Sequence, residues 1–459
     1  MKSKIIVTMI LGFLLICLTA CSPPQEIAPP PSPTPTVVPT PTSAATPTTE
    51  PTPTPGSTLS KAERLEITEM VWQTVNDNFF DPTFGGKDWQ AIGDQYRPQL
   101  IAEQSDEAFV RLLNEMLFEL GVSHMAALPP DMLEQLEPIS FASGAVGIDI
   151  RLLDDQYVIT AVEPGSKAEK AGLRTGYIIT AIDGIGVEAI ADEPLNTPPF
   201  NERAVRGSKT QAVRTRLYGE TGEPVTVDYL DEQDQTASVT LRYVAREGRK
   251  AEFVKSLPTA TTEFESKWLD DRIGYIRFSG FAPAILETTL DAIDDMTDAE
   301  GLIIDLRGNP GGIFPVRKAI AEKLVGKRVL FWQYQHRDHL RKAYLDSVKN
   351  PYLGEVVILI DELSTSSSEE FSGGLQAIGR ATIVGNHSPG RCLTANIVEM
   401  PGGGILVYAN SQSQTTDGSV LEDNGVAPDL SIALDRDLLL QGRDVQLETA
   451  IEYLESATK

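Results

Sequence analysis

The spacing of apolar positions changes several times along the chain, and each change predicts a different kind of structure. Behind Lys2 and Lys4 an apolar run extends from Ile5 to Leu18 and ends in small residues. That layout predicts a secretory signal over residues 1–21, not a spanning helix. Residues 22–58 have no period and are mostly "PPPSPTPTVVPTPTSAATPTTEPTPTPG". Proline fixes φ and removes amide donors, so this stretch predicts an extended, disordered stalk, on the order of 100 Å long at about 3.1 Å per residue. Helical spacing begins at Leu59, with Leu65, Met70, Val71, Val75 and Phe79 on one predicted face. It returns in "SDEAFVRLLNEMLFELG", where Ser105 is the expected N-cap and Gly121 the stop. From Ala145 to about Arg246 the pattern becomes short strands and turns, and from about Asp271 apolar strands such as "GLIIDL" and "VVILID" alternate with helical segments. Continuous apolar runs of that length predict strands buried on both faces, hence an α/β region.

Composition narrows the choice. The formal charge is −26 with no basic stripe, which argues against nucleic acid as a partner. Three cysteines are present, Cys17, Cys21 and Cys392. Cys17 leaves with the signal. "LTAC" resembles the lipobox of bacterial lipoproteins, and the resemblance implies that Cys21 carries a diacyl anchor. Only Cys392 is then left in the folded region, so no internal disulfide is expected.

The candidate chemistry begins with "DELSTSSSEEF", four serines in five positions between the apolar run "EVVILI" and a helical pattern. A serine at a strand-to-helix turn projects beyond the sheet, where the first helical amides can stabilise negative charge. The same stretch fits a capping box, Ser366 with Glu369. Upstream, "GLIIDLRGNPGGIF" places Gly311 and Gly312 in a turn after an apolar strand, where backbone can approach a ligand closely.

Taken in order, "DLRGNPGG", "STSSSEE" and "GVAPDL" resemble the tail-specific, or carboxyl-terminal processing, serine peptidases. Residues 141–250 resemble a PDZ domain through "VGIDI", "PGSKAEKAGLRTGYIITAIDG" and "VTVDYL". The family resemblance implies Ser366 as nucleophile, with one oxyanion amide from Ser367 and another from Gly311 or Gly312. The PDZ resemblance implies that a peptide C-terminus docks as an added strand, its carboxylate near Val146, Gly147 and Ile148.

The better-known branch of that family uses a lysine 25 residues after the serine and a glutamine four residues beyond it. Here those positions are Arg391 and Ala395. Arginine does not give up its proton at neutral pH, so a Ser-Lys dyad at that position is excluded. "GVSHMAAL" and "LEDNGVAPDL" instead resemble the tricorn-like branch, which implies His124 as base and Glu422 as its partner, through Ser123 or directly. An imidazole base predicts activity that rises with pH through about 6 to 8. His387, 21 residues after Ser366, is a rival base in a glycine- and proline-bounded loop. His336, Asp338 and His339 lack a third convincing metal ligand, and neither metal nor cofactor is expected.

The expected architecture is α+β and multidomain. A helical subdomain at 59–140 and a PDZ-like β domain at 141–250 precede an α/β peptidase core at 251–459, which the resemblance implies is crotonase- or ClpP-like. The expected activity is that of a lipid-anchored serine endopeptidase in the cell envelope, outside the cytoplasmic membrane, acting on protein or peptide substrates with exposed C-termini. Two rivals stand beside it: an inactive peptide-binding pseudo-peptidase, and a solute- or wall-binding lipoprotein.

Overall fold

A computed structural model describes residues 59–457 apart from 103, 129–141, 193–200 and 252–259. The expected signal, Cys21 and the stalk therefore lie outside the described residues. Helix α1 (Lys61–Asn78) starts at a Ser60–Glu63 capping box, α2 (Trp89–Leu100) at Asp88, and α3 (Asp106–Phe118) at Ser105, whose Oγ accepts from the Ala108 amide. Each cap satisfies amides that the first helical turn leaves without partners. The face predicted for α1 is partly corrected, since Leu65 is 41% exposed while Ile67 and Thr68 turn inward with Val71, Val75 and Phe79. Ile67, Val71 and Val75 follow at four-residue spacing, the stripe that a helix buries.

The chain then enters strand β1 (Ala126–Leu128), which pairs with a strand almost three hundred residues later. The helices pack on that sheet, and Leu113, Leu117, Leu128, Leu406 and Ala409 belong to one core.

The PDZ-like unit is an antiparallel sheet in the order β2 (Ile148–Leu153), β3 (Gln156–Val162), β4 (Ile178–Ile182), β5 (Pro224–Leu230) and β6 (Thr236–Arg242). Helix α4 (Glu202–Thr215) packs beside the edge strand β2. Ile150, Ile159, Ile179, Val213 and Val225 form its interior.

The peptidase region is built on a six-stranded sheet. Its order is β7 (Phe264–Trp268), β8 (Ile273–Phe278), β9 (Gly301–Asp305), β12 (Glu355–Ile360), β13 (Thr382–Gly385) and β16 (Leu430–Ser431). All neighbours are parallel except β7 with β8. Alternation sends Ile276, Ile304 and Ile358 to one face, under helices α5 (Pro283–Asp295), α6 (Phe314–Val325) and α7 (Ser367–Ala377). Tyr275, Ile303 and Val357 point to the other face, which α8 (Val445–Ala457) covers with Ala450 and Leu454. Burial on both faces is the reason the central strands β9 and β12 are almost wholly apolar.

A second sheet joins β1, β15 (Ile405–Gln414), β10 (Val329–His336) and β11 (Leu340–Leu345), with β14 (Leu393–Glu399) also paired to β15. Among the described residues no helix is long and apolar enough to cross a membrane.

Candidate active site

Open parallel sheets gather functional groups beyond the carboxyl ends of their strands, and the candidate residues meet there. The loop after β12 carries Ser366 into α7, and the loop after β9 carries Gly311 and Gly312. Ser366 has φ 56° and ψ −117°, left-handed backbone that a non-glycine residue adopts only where its surroundings compel it. The compulsion is visible in two contacts. Its amide donates to Glu369 Oε2 at 3.0 Å and also to the Arg391 carbonyl at 3.0 Å. Gly311, at φ 105°, lies so close that a Cβ there would stand 2.8 Å from the Ser367 amide nitrogen and 2.9 Å from Ser366 Cβ.

His124 reaches this point from the segment between α3 and β1. It is 4% exposed and also has positive φ, 63°. Its Nε2 lies 3.4 Å from Ser366 Oγ, and its Nδ1 lies 2.6 Å from Ser123 Oγ. The Ser123 hydroxyl donates to Glu422 Oε2 at 2.9 Å, while the Ser123 amide donates to Glu422 Oε1 at 2.8 Å. With its proton directed at Glu422, Ser123 Oγ accepts from Nδ1–H, which leaves the Nε2 lone pair toward Ser366. The Cys392 amide also donates to Glu422 Oε2, at 2.7 Å. Ser366, His124, Ser123 and Glu422 thus form one continuous chain of contacts.

His387 takes no part in it. Its Nδ1 contacts the carbonyl of neighbouring Ser388 at 3.0 Å. His336 and His339 stack on each other, with His339 Nδ1 2.6 Å from Asp338. His336 ends β10 and His339 lies in the turn between β10 and β11, in the second sheet.

Burial governs the charges. It pushes His124 down to about 3, helped by the positive charge of Arg391. The imidazole is therefore neutral well below pH 6, and the acid limb expected near 6 to 8 does not belong to it. Burial raises Glu422 against the opposing pull of the Ser123 and Cys392 donors and of Arg391. Arg391 is 5% exposed, and burial brings it down to about 9 even though Glu422 and Glu369 stand nearby.

Two features of the site are not encoded in the local sequence. Glu369 completes the capping box with Ser366, and its carboxylate also accepts from Ser388 Oγ at 2.7 Å, Gly390 N at 2.6 Å and Arg391 N at 2.9 Å. It ties the nucleophile loop to the loop at 388–391, and burial raises it to about 7 against those donors. The S-x-x-E spacing was the only signal, and it reads equally as a cap. Second, the Gly311 amide donates to Asn309 Oδ1 at 2.9 Å. That commitment leaves Gly312, rather than Gly311, as the glycine amide to consider beside Ser367. The Gly312 carbonyl accepts from Ser367 Oγ at 2.8 Å, which fastens the two turns together.

Under the nucleophile helix, Arg317 pairs with Glu370 and donates to Tyr334 Oη at 2.8 Å, all buried. In the PDZ-like unit the Val146 amide donates to the Leu217 carbonyl at 3.2 Å, Gly147 has φ 83°, and Ile148 pairs with Val162. Val146 is thus already committed within the unit.

Comparison with known proteins agrees with this layout. Residues 272–432 match the model of peptidase family S41, 60–118 the tricorn protease C1 domain, and 158–192 the PDZ domain. A carboxyl-terminal-processing protease of Synechocystis sp. is 24% identical over 411 residues, covering 87% of this chain and 88% of its own. The carboxy-terminal processing protease CtpB of Bacillus subtilis is 26% identical, over 75% of this chain and 66% of its own. A putative tricorn protease homolog of Streptomyces coelicolor is 25% identical, over 86% of this chain and 33% of its own. Among solved structures, the photosystem II D1 C-terminal processing protease shares the fold with a TM-score of 0.56 at 21% identity, covering 83% of this chain and 98% of that one. With a peptidase S41 region, a tricorn-type helical segment and a PDZ domain in one chain, the protein belongs to the tail-specific, PDZ-containing serine peptidases.

Proposed function

We propose that the chain is a membrane-anchored serine endopeptidase of the cell envelope, with Ser366 as nucleophile, His124 as general base, and Ser123 and Glu422 as the relay that orients the base. The observation that carries this reading is the unbroken contact path from Ser366 Oγ through His124 and Ser123 to Glu422. His124 Nε2 takes the hydroxyl proton as Ser366 Oγ attacks the peptide carbonyl, and returns it to the leaving amine. The imidazolium formed in between is stabilised by Glu422 through the Ser123 hydroxyl. Water then attacks the acyl-enzyme with the same base, releasing the acid and restoring Ser366.

The amides of Gly312 and Ser367 stabilise the oxyanion in this reading. Arg391 stands where the better-known branch keeps its lysine, and a guanidinium so placed supplies charge and not a proton acceptor. Glu369 acts as a positioning residue through the Ser366 and Arg391 amides.

The remainder of the reading rests on sequence. "LTAC" supports lipidation at Cys21, the Pro/Thr-rich stretch supports a stalk, and the PDZ-like unit supports recognition of exposed C-terminal tails through the region of Val146, Gly147 and Ile148. The test is cleavage by purified full-length protein of an unstructured peptide ending in a free carboxylate and of its C-terminal amide. The reading expects the acid to be cut faster and Ser366→Ala to cut neither. Undiminished cleavage by Ser366→Ala would overturn it. Release of Cys21→Ser from the membrane fraction tests the anchor, and retention of that variant would remove lipidation from the account.

A further inference from the structure

The amides of Gly312 and Ser367 stand at the starts of two helices, α6 and α7. Their separation therefore depends on how the two first turns are held to each other. Gly312 is pinned from both sides. The Gly311 carbonyl accepts from Phe281 N at 2.8 Å, and a trans peptide sends its N–H opposite its carbonyl, so the Gly312 amide points away from Phe281. Beyond Gly312, Ile313 N donates to Phe281 O at 2.9 Å, while the Gly312 carbonyl accepts from Ser367 Oγ at 2.8 Å. Upstream the same two turns meet again, where Thr365 Oγ1 donates to Pro310 O and Ser368 Oγ to Asn309 O. The crossing at Gly312 itself runs through the Ser367 hydroxyl.

That hydroxyl is oriented from below. Arg317, in the first turn of α6, and Glu370, in the first turn of α7, are both buried and pair with each other. Arg317 Nη1 also donates to Ser367 Oγ at 3.4 Å, and its Nη2 donates to Tyr334 Oη at 2.8 Å. Ser413 Oγ donates to the other carboxylate oxygen of Glu370. A hydroxyl has one proton to give, and an N–H arriving from the guanidinium leaves that proton directed at Gly312 O. Arg317 thus braces the two helices against each other and fixes the one side-chain contact that reaches Gly312 from α7. A buried ion pair is weak evidence for stability, since apolar residues of similar volume often replace one without loss. Its place beneath both amides points to another role.

We propose that Arg317 is a positioning residue for the oxyanion site: it holds Ser367 Oγ on Gly312 O and α6 on α7, and so sets the separation of the Gly312 and Ser367 amides. This rests on the peptidase reading given above and adds to it a residue that neither touches substrate nor belongs to the relay behind His124. Because the oxyanion forms only as the carbonyl is attacked, the effect falls on kcat and spares KM.

The test uses the full chain in detergent and the peptide with a free carboxylate. Arg317→Met alone would strand Glu370, so the pair is exchanged together as Arg317→Met/Glu370→Leu, which keeps the packing and removes the brace. The double variant keeps a Tm within a few degrees of wild type, loses about tenfold or more in kcat, and holds KM within about twofold. Ser367→Ala keeps its amide and the ion pair but loses the contact with Gly312 O, and shows a loss of the same kind. Added to the double variant, Ser367→Ala lowers kcat no further, because Arg317 and Ser367 act in one path. A peptide aldehyde gives a second readout. Ser366 Oγ adds to its carbonyl carbon, the hydroxyl proton passes to His124, and the aldehyde oxygen becomes the oxyanion. Its Ki rises with the loss in kcat, whereas the Ki of the matching peptide alcohol, which has no carbonyl, stays unchanged.

A folded double variant with wild-type kcat, or a Ser367→Ala loss that multiplies in full with that of the double variant, overturns the proposal. So does equal weakening of aldehyde and alcohol, which would place the damage in substrate docking. If the double variant does not fold, Ser367→Ala and the two inhibitors decide, and full kcat in Ser367→Ala overturns the proposal. Failure of the peptidase reading looks different: the wild type itself then neither cuts the peptide nor binds the aldehyde more tightly than the alcohol.

Discussion

The two halves of the catalytic centre are assembled in opposite ways. The nucleophile half is local: Ser366, its left-handed backbone, and Glu369 three residues on all lie in one strand-to-helix turn, braced by neighbouring loops at the same sheet end. The base half is long-range. Ser123 and His124 come from the segment after α3 and meet Glu422 across 299 residues of chain. What orients His124 is also a single hydroxyl, whereas Ser366 is held through two backbone contacts and a carboxylate with further donors. A local turn keeps its geometry when one contact is lost. A relay assembled from distant segments does not, so the base half should be the more fragile toward conservative changes.

Breaking either half at its reacting atom gives the largest effects. Ser366→Ala should lower kcat by about 10³-fold or more with circular dichroism unchanged, and His124→Ala should do nearly the same, because members of one unit fail together. His387→Ala should stay within about twofold of wild type, since its ring contacts Ser388 O and lies outside the Ser366–His124–Ser123–Glu422 path. Steady-state kinetics on one peptide checks all three.

The asymmetry appears one step out. Glu422→Gln keeps the shape but loses the charge that stabilises imidazolium, and should cost about 10²-fold in kcat with KM nearly unchanged. Ser123→Ala interrupts the relay and should cost about as much. Ser364→Ala, beside the nucleophile but outside the relay, should cost activity far less than Ser123→Ala, because several bonds besides its own hold that turn. Equal losses at Ser123 and Ser364 would remove the contrast between the halves.

The pH dependence divides them again. Glu369, raised to about 7 by burial, is ionised above that value and then accepts its four donors. Activity should fall as pH drops through about 7, and Glu369→Gln should lose that limb. His124, at about 3, adds no limb above pH 5. The smallest expected effect is on stability. A histidine whose folded value lies below its unfolded value of about 6.5 contributes stability that is present above 6.5 and is lost as pH falls toward 3. The Tm of His124→Ala should therefore decline less steeply than that of the wild type between pH 6.5 and 4.

How much of this was legible in the sequence follows the same division. "VVILID" and "GLIIDL" announced buried parallel strands because burial on both faces leaves no polar position, and the strand-to-helix serine turn lay within a single short stretch. The relay was legible only through resemblance, since nothing local in "GVSHM" points to Glu422. Glu369 was hidden because a capping glutamate and a loop-bracing glutamate have the same spacing. The Gly311 and Gly312 assignment turned on which amide Asn309 takes, a direction that residue types do not encode. The shift at His124 is not encoded locally for a similar reason, as burial and the approach of Arg391 arise only when distant segments meet. The exposure of Leu65 reflects a helix face rotated by packing against β15, which α1's own pattern left ambiguous.

The central claim is that His124, aligned by Ser123 and Glu422, activates Ser366. Fluorophosphonate labelling with the adduct mapped by mass spectrometry tests it most directly, in the wild type, Ser366→Ala, His124→Ala and Ser123→Ala. The account predicts a single adduct on Ser366, none in Ser366→Ala, and labelling slowed by about 10²-fold or more in His124→Ala and measurably in Ser123→Ala. An adduct on another residue, or full-rate labelling of Ser366 without His124, would contradict it.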